Sequence, residues 1–238
     1  FAEAILTDYN PRPLNRATSI DIEHFAEYYL GLEMDYATLS KNCSILGMIV
    51  FNECGIQVYE TEKYHERILH VKEGTILIDT SLCEQNQLQR GRFTVGHESS
   101  HWILHRYIYQ KYKNQISIDF DDKKCIIRCF RRDIENAFLK NIFSTDSDWI
   151  EWQADYMSSA LLMPKRTFSL AVEKIFKKYG IHQKYVIKGI DNDLDIFIEI
   201  LPELLAEIFD VSKQAASIRL EKLGFIRDKS SASQISLL

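Results

Sequence analysis

The sequence RFTVGHESSHWILH, residues 92–105, belongs to a segment whose apolar residues favour one long helix over residues 92–111. Within it, His97 and His101 are separated by about 40° around the helix axis and by about one turn along it. Two imidazoles in this arrangement can bind one tetrahedral Zn²⁺. Glu98 then projects toward the open coordination position, where it can accept a proton from water. The motif therefore predicts a zinc centre with Glu98 as general base.

A catalytic zinc site normally has three protein ligands, so a third ligand must come from elsewhere in the chain. Glu151 lies at the start of a second predicted helix, residues 149–162, and Asp155 follows one turn later on the same face. This spacing suits Glu151 as a ligand and Asp155 as the acceptor of a free N–H from a ligand imidazole. The alternatives are two acids on a solvated face and two ordinary histidines on a surface helix.

His105 lies one further turn along the first helix and suggests a rival ligand set of His97, His101 and His105. Each step of four residues adds about 40°, so the third side chain is rotated by roughly 80° from the first and lies about 12 Å along the axis. The three histidines of one straight helix therefore cannot all bind the same ion. We therefore expect His105 to contact a ligand residue or to lie in the core.

The remaining sequence predicts an α+β fold, because strands come first and helices later. Short β-branched and aromatic runs predict the strands of one small sheet at residues 45–51, 55–59, 65–71 and 75–79. Further helices are predicted at residues 19–30, capped by Ser19, and at 132–140, 169–179, 201–209 and 213–223. A further strand is predicted at residues 115–120.

Composition excludes several classes of protein. The 238 residues are 46% hydrophobic and 26% charged, which is typical of a soluble globular protein and not of a disordered one. The net charge of −5 gives no global positive field for nucleic acid. No apolar run approaches the roughly 20 residues of a membrane span, so we expect no membrane partner. The five cysteines and the lack of a visible secretory signal favour reduced thiols in a cytoplasm. This expectation includes Cys125 and Cys129, for which a redox pair or a second metal site is the alternative.

Two sequence blocks resemble the ImmA/IrrE family of metallo-endopeptidases. The first is RFTVGHESSHWILH at residues 92–105, and the second is EWQADYMSSALLMP at residues 151–164. The segments before them are also similar, so the resemblance covers about residues 20–225. It implies a zincin-like peptidase domain with Zn²⁺ bound by His97, His101 and Glu151 and with Glu98 as general base.

Three features depart from that family's usual pattern. Ser99 and Ser100 stand where small or apolar residues, often ending in glycine, are common, and Asp155 stands where asparagine is common. The interval from His101 to Glu151 is longer than in compact members. We therefore expect residues 107–148 to form an insertion that lines the cleft.

The chain is predicted to have two parts, a zincin-like metallopeptidase domain at residues 1–168 and a helical region at residues 169–238. Residues 201–225 in the second part resemble a helix-turn-helix, with Ser212 as the cap of its second helix. Acidic residues outnumber basic ones by one across residues 201–228, which is a poor surface for phosphates. Direct binding of nucleic acid is therefore not expected.

The resemblance also implies a substrate class, since similar proteins cleave helix-turn-helix transcriptional repressors. The leading hypothesis is thus a cytoplasmic anti-repressor protease in which Glu98 activates a water molecule at the zinc. The alternative is a regulatory module that binds DNA or protein and whose metal site is weak or inactive. Zinc content and a basic surface strip would distinguish the two.

Overall fold

The computed structural model describes residues 1–60, 65–112, 126–130, 145–188 and 195–227. The chain forms two compact units, one made of Phe1–Ile20 and Ser159–Leu238 and the other of Asp21–Ser158. The predicted division at residue 168 stays a prediction. Among the described helices, none combines the length and the apolar character that crossing a membrane requires.

The helices are α1 (Ala2–Tyr9), α2 (Arg12–Asn15), α3 (Ile22–His24, continued by a π-helical turn Phe25–Tyr29), α4 (Leu88–Tyr112), α5 (Asp146–Leu162), α6 (Lys165–Lys178), α7 (Asp195–Phe209) and α8 (Lys213–Lys222). The strands are β1 (Glu33–Ala37), β2 (Ile45–Val50), β3 (Cys54–Tyr59), β4 (Glu66–Val71), β5 (Thr75–Asp79), β6 (Ile126–Phe130), β7 (Val186–Ile187) and β8 (Ile226–Arg227). Short 3-10 turns at Thr80–Cys83 and Gln85–Gln87 lead into α4.

The unit that contains α4 has a four-stranded mixed sheet in the order β1-β5-β2-β6. Strand β1 is parallel to β5, whereas β2 is antiparallel to both β5 and β6. Strands β3 and β4 pair with each other as a separate antiparallel hairpin, so the expectation of one sheet for all the early strands is wrong. The α+β class with a small mixed sheet is confirmed.

Strand β2 is buried from Leu46 to Val50 because both faces of the sheet are covered. Met48 and Val50 belong to an apolar cluster that includes residues of the β3–β4 hairpin, such as Ile56. The alternate face of β2 lies against α4. Gly47 lies on this second face, where a Cβ atom would be 2.6 Å from Thr94 Cγ2. The missing side chain therefore lets β2 approach α4 closely.

Replacing Gly47 by Ala should lower the free energy of unfolding by about 1–3 kcal/mol, because the added methyl group overpacks the contact with Thr94. Thr94→Ser removes the clashing Cγ2 and keeps the hydroxyl that donates to Arg90 O at 3.0 Å. Denaturant unfolding of both single variants and of the double variant measures the coupling. The double variant should be more stable than the two single losses together imply, and strict additivity would contradict this account.

Several element boundaries differ from those predicted. The helix predicted at residues 19–30 begins at Ile22, and its cap is Asp21 instead of Ser19, since Asp21 Oδ1 accepts from the His24 N–H at 3.0 Å. Helix α5 begins three residues earlier than predicted. Its first turn is closed by reciprocal contacts, from Asp148 N–H to Thr145 Oγ1 at 3.2 Å and from Thr145 N–H to Asp148 Oδ2 at 3.1 Å.

Other predictions fall outside what the structure describes. The strand at residues 115–120, the helix at 132–140, Cys125 and most of the insertion at 107–148 lie outside the described residues. Strands β1 and β6 and the helices α1 and α2 were not predicted. Among them β6 matters most here, because it carries Cys129 to the interior beside α4.

The unit that contains α7 and α8 includes the predicted helix-turn-helix pair. Ser212 caps α8 as predicted, its Oγ accepting from the Ala215 N–H at 3.1 Å. Arg219 on α8 is only 3% exposed, and its Nε and Nη2 donate to Met163 O at 3.1 and 3.0 Å. A recognition helix presents its cationic side chains to DNA, whereas this guanidinium is buried and hydrogen-bonded to the protein backbone.

Candidate metal centre

Helix α4 buries a row of polar side chains that a globular protein rarely buries without partners. His97 is 1% exposed, and Glu98 and His101 are fully buried. The apolar strand β2 and the strand β6 pack against this helix. Because the three polar side chains share this packed environment, their mutual contacts decide what the site can do.

The two imidazoles and one carboxylate converge on a common point. His97 Nε2 and His101 Nε2 are 2.9 Å apart, and Glu151 Oε2 lies 3.2 Å from the first and 3.5 Å from the second. These residues form one of the groups in the described chain that could hold a metal ion. The structure thus brings together the three ligands predicted from the sequence, although their role as ligands stays a prediction.

A close crossing of α4 and α5 makes this convergence possible. A Cβ atom at Gly96 would lie 2.6 Å from Ser158 Oγ, so a larger residue would displace this hydroxyl from the position seen here. Ser158 Oγ also donates to Phe93 O at 3.1 Å, which ties the two helices together at the same level. Glu151 lies about two turns from Ser158 along α5 and so reaches the histidines of α4.

Each of the two histidines has a partner at the ring nitrogen that faces away from the convergence point, on α5 for His97 and on α4 for His101. His97 Nδ1 lies 2.9 Å from Asp155 Oδ1, which is the contact predicted for Asp155. His101 Nδ1 lies 3.0 Å from His105 Nδ1, and His105 Nε2 lies 3.0 Å from Gln153 Oε1. His105 therefore lies behind His101, as expected, and the rival set of three histidine ligands is not formed.

The electrostatics favour a positive charge where the three atoms converge. Burial acts to lower the pKa of His97, but its contacts with Cys129, Asp155 and Glu151 outweigh burial and raise the pKa well above its ordinary value. Burial also acts to raise the pKa of Glu151, but the contacts with His101 and His97 lower it well below its ordinary range. Burial, followed by the charge on His97, lowers the pKa of His101 to about 4. The site therefore combines an anionic Glu151 with a neutral His101, which suits a cation.

Glu98 is the least compensated group of the site. Neither of its carboxylate oxygens accepts a hydrogen bond of normal geometry from a described residue. Burial raises the pKa of Glu98 to about 8, since the charge on His97 and the nearby backbone of Ile49 offset only part of the cost of ionisation. Its Oε1 faces Gly47, where a Cβ atom would come within 3.3 Å. A buried carboxylate without a partner is typical of a residue kept for chemistry.

Cys129 also lies at this site, which the sequence did not predict. Its ligand atom lies within 4.8 Å of those of His97 and Glu98, in a second group that could hold a metal. Burial raises the pKa of the Cys129 thiol to about 12, so the thiol stays protonated at physiological pH. Cys129 is a free thiol, as expected. Glu151, whose pKa is lowered, is therefore a charged partner of His97 at neutral pH, and the Cys129 thiol is not.

The donor set fits a divalent metal on two observations. Two imidazole nitrogens and one carboxylate oxygen converge on one point, and Glu98 beside them has no hydrogen-bond partner among the described residues. Two nitrogens and one oxygen form the mixture found in catalytic metal sites with an open position. The arrangement can therefore bind a metal and present a base next to it.

Gln153 is the other residue that the sequence did not single out. It lies between Glu151 and Asp155 on α5, where its side chain is exposed but its amide oxygen reaches the buried His105. Its position in the second sequence block, two residues after Glu151 and two before Asp155, could have revealed it. The signal for Cys129 is the apolar run around it, Ile126-Ile127-Arg128-Cys129, which is typical of a buried strand.

Comparison with known proteins agrees with this geometry. No curated protein matches the chain. A family model of metallopeptidases, Peptidase M78, described as the IrrE N-terminal-like domain, matches residues 51–221. This range contains both sequence blocks and the candidate ligands, base and supporting side chains of the site from His97 to Asp155. Because it spans well over half of the 238 residues, the chain belongs to the Peptidase M78 family of IrrE N-terminal-like metallopeptidases.

Proposed function

We propose that this chain is a zinc-dependent endopeptidase and that His97, His101 and Glu151 are the zinc ligands. The observation that carries the proposal is the convergence of two Nε2 atoms and one carboxylate oxygen beside the unpartnered Glu98. Membership of the Peptidase M78 family supports the same reaction class. In this proposal, α4 and α5 together carry the ligands and the base of one catalytic centre.

Distances support zinc as the metal. Ligand atoms placed about 2.0–2.1 Å from one ion in a tetrahedron lie about 3.3 Å from one another. The corresponding separations in this site are 2.9, 3.2 and 3.5 Å. Small side-chain adjustments would equalise them, so the three residues fit this metal.

The chain's own residues have distinct roles in the proposed reaction. Zinc supplies Lewis-acid polarisation of the scissile carbonyl and lowers the pKa of water when it is bound. Glu98 accepts a proton at its carboxylate and later delivers it to the leaving amine. The Glu98 carboxylate is buried and both of its oxygens lack a hydrogen-bond donor among the described residues, so they are free to take up that proton. Asp155 holds the ring of His97 by accepting its Nδ1–H.

The proposed substrate is a helix-turn-helix transcriptional repressor in the cytoplasm, so that cleavage relieves repression. This part rests on the resemblance of the two sequence blocks to the ImmA/IrrE family. The net charge of −5 and the buried Arg219 support a protein substrate in preference to DNA.

Co-expression with helix-turn-helix repressors from the same genome tests the substrate class. We expect one defined repressor fragment with the native chain and none with Glu98→Gln, measured by immunoblot and by mass spectrometry of the new terminus. A repressor left intact under inducing conditions, by a chain that holds zinc, would contradict the substrate class. Stable capture of an uncut repressor would favour the alternative of a binding module.

A further inference from the structure

We propose that Gln153 and His105 are positioning residues that hold His101 in the tautomer whose Nε2 is free to bind a metal. The inference rests on the proposed metal centre and deepens it. It concerns the direction of the hydrogen bonds, which the placement of the Gln153 amide oxygen against His105 sets.

The contacts run from an exposed side chain to the centre of the site. Gln153 Oε1 lies 3.0 Å from His105 Nε2, and His105 Nδ1 lies 3.0 Å from His101 Nδ1. His105 is 2% exposed and His101 is fully buried. The second nitrogen of His101, Nε2, faces His97 Nε2 at 2.9 Å. One unbroken line of polar atoms therefore connects the amide to the proposed metal position.

The amide oxygen sets the direction of this line. An amide oxygen can only accept, so His105 Nε2 carries the hydrogen and donates it. A neutral imidazole has one N–H, so His105 Nδ1 is then an acceptor. His101 Nδ1 must therefore donate to His105, which leaves the lone pair of a neutral His101 on Nε2. Metal ligation needs that lone pair.

A donor in place of the amide oxygen would reverse every step. His105 Nε2 would accept, His105 Nδ1 would donate to His101 Nδ1, and the hydrogen of His101 would stand on Nε2. That hydrogen would point at the position where the three proposed ligand atoms converge. The acceptor at residue 153 thus favours the tautomer of His101 that can bind a metal, although it lies two contacts away from the metal position.

The same helix fixes the other histidine by a shorter route. Asp155 accepts directly from His97 Nδ1, and Asp155 follows Gln153 by two residues on α5. Helix α5 therefore supplies the proposed ligand Glu151 and also the acceptors that fix both imidazoles. Gln153 differs from Asp155 because an amide can turn over and offer its NH₂ group instead, whereas a carboxylate offers acceptors only.

Three substitutions at the exposed position 153 separate direction from packing. Gln153→Glu keeps an acceptor, Gln153→Met keeps the length without an acceptor, and Gln153→Lys offers a donor only. Zinc affinity is measured by competition with a chromophoric chelator, and thermal unfolding with chelator shows whether each variant folds. We expect Gln153→Met and Gln153→Lys to bind zinc about 10–100-fold more weakly, and Gln153→Glu to bind it at least as tightly as the native chain.

A second readout does not need the metal. The ¹⁵N chemical shifts of His101 in the metal-free protein report which ring nitrogen carries the hydrogen. The native chain and Gln153→Glu should show it on Nδ1, and Gln153→Lys should move it to Nε2.

The two measurements also distinguish failure of this inference from failure of the proposed function. Native affinity and an unchanged His101 tautomer in Gln153→Lys would overturn the positioning role. If the native chain binds no zinc, the proposed metal centre fails. In that case, a move of the His101 hydrogen to Nε2 in Gln153→Lys would still support the positioning role of Gln153 and His105. An unchanged tautomer would still refute it.

Discussion

Replacing Glu98 by Gln should reduce peptide cleavage by at least about 10²–10⁴-fold while the proposed zinc stays bound. The amide keeps the shape of the carboxylate but cannot accept the proton. Because the Glu98 carboxylate is fully buried without a partner, the substitution should also leave the fold intact or more stable. Cleavage rate, zinc content and thermal unfolding of the same preparation measure the three effects.

Glu33→Gln is a matched control for this experiment. Glu33 is an exposed glutamate of the same unit, paired with Lys72 at 3.3 Å on the surface. It should keep cleavage and zinc content at native levels, since an exposed ion pair contributes little. Near-native cleavage by Glu98→Gln would show that Glu98 is not the general base and would contradict the proposed mechanism.

Replacing Glu151 by Gln should remove the metal as well as cleavage, in contrast to Glu98→Gln, which should keep the metal. A neutral amide is a weak zinc ligand, so we expect the affinity to fall by more than about 100-fold, beyond the 10–100-fold range typical of groups that only support a ligand. Asp155→Ala should fall within that range, because Asp155 contacts His97 Nδ1 instead of the metal position. Chelator competition on the three proteins measures the order.

Glu151→Ala provides an independent comparison for the same residue. Full retention of zinc by either Glu151 variant would exclude Glu151 from the ligand set. The second group of possible ligand atoms, His97 with Glu98 and Cys129, would then become the leading description of the site. Equal losses for Glu151→Gln and Asp155→Ala would likewise contradict the distinction drawn between them.

The parts of the site that could be predicted depend on local geometry. His97, Glu98 and His101 lie within two turns of one helix, so their spacing alone specifies their relation. Asp155 could be paired with a histidine for a similar reason, because it follows Glu151 by one turn. That Glu151 and Asp155 of α5 lie beside the histidines of α4 could be predicted only from the second sequence block and from the family resemblance.

The parts that could not be predicted depend on packing between distant segments. Cys129 reaches His97 because β6 pairs with β2, and the sequence of β6 is short and interrupted by Arg128. Strand β1, Glu33–Ala37, is only five residues long and three of them are exposed, so its sequence gives only a weak strand signal. It is a strand because it lies parallel to the buried β5. Gln153 was missed because it is exposed. Its one contact with the site, to His105 Nε2, depends on how α5 packs against α4.

The burial of Arg219 affects how this chain would behave near DNA. Binding to DNA draws its strength largely from the release of counterions, and each phosphate neutralised adds about −0.9 to the slope of log affinity against log salt. In the described segment 201–227, Arg219 is bonded to Met163 O, Lys213 lies 2.6 Å from Glu203, and Arg227 lies 3.8 Å above the ring of Tyr185. Three of the segment's four cations already have partners in the protein. We therefore expect this helix-turn-helix to release few ions on meeting DNA, and to serve the protein as a packed support.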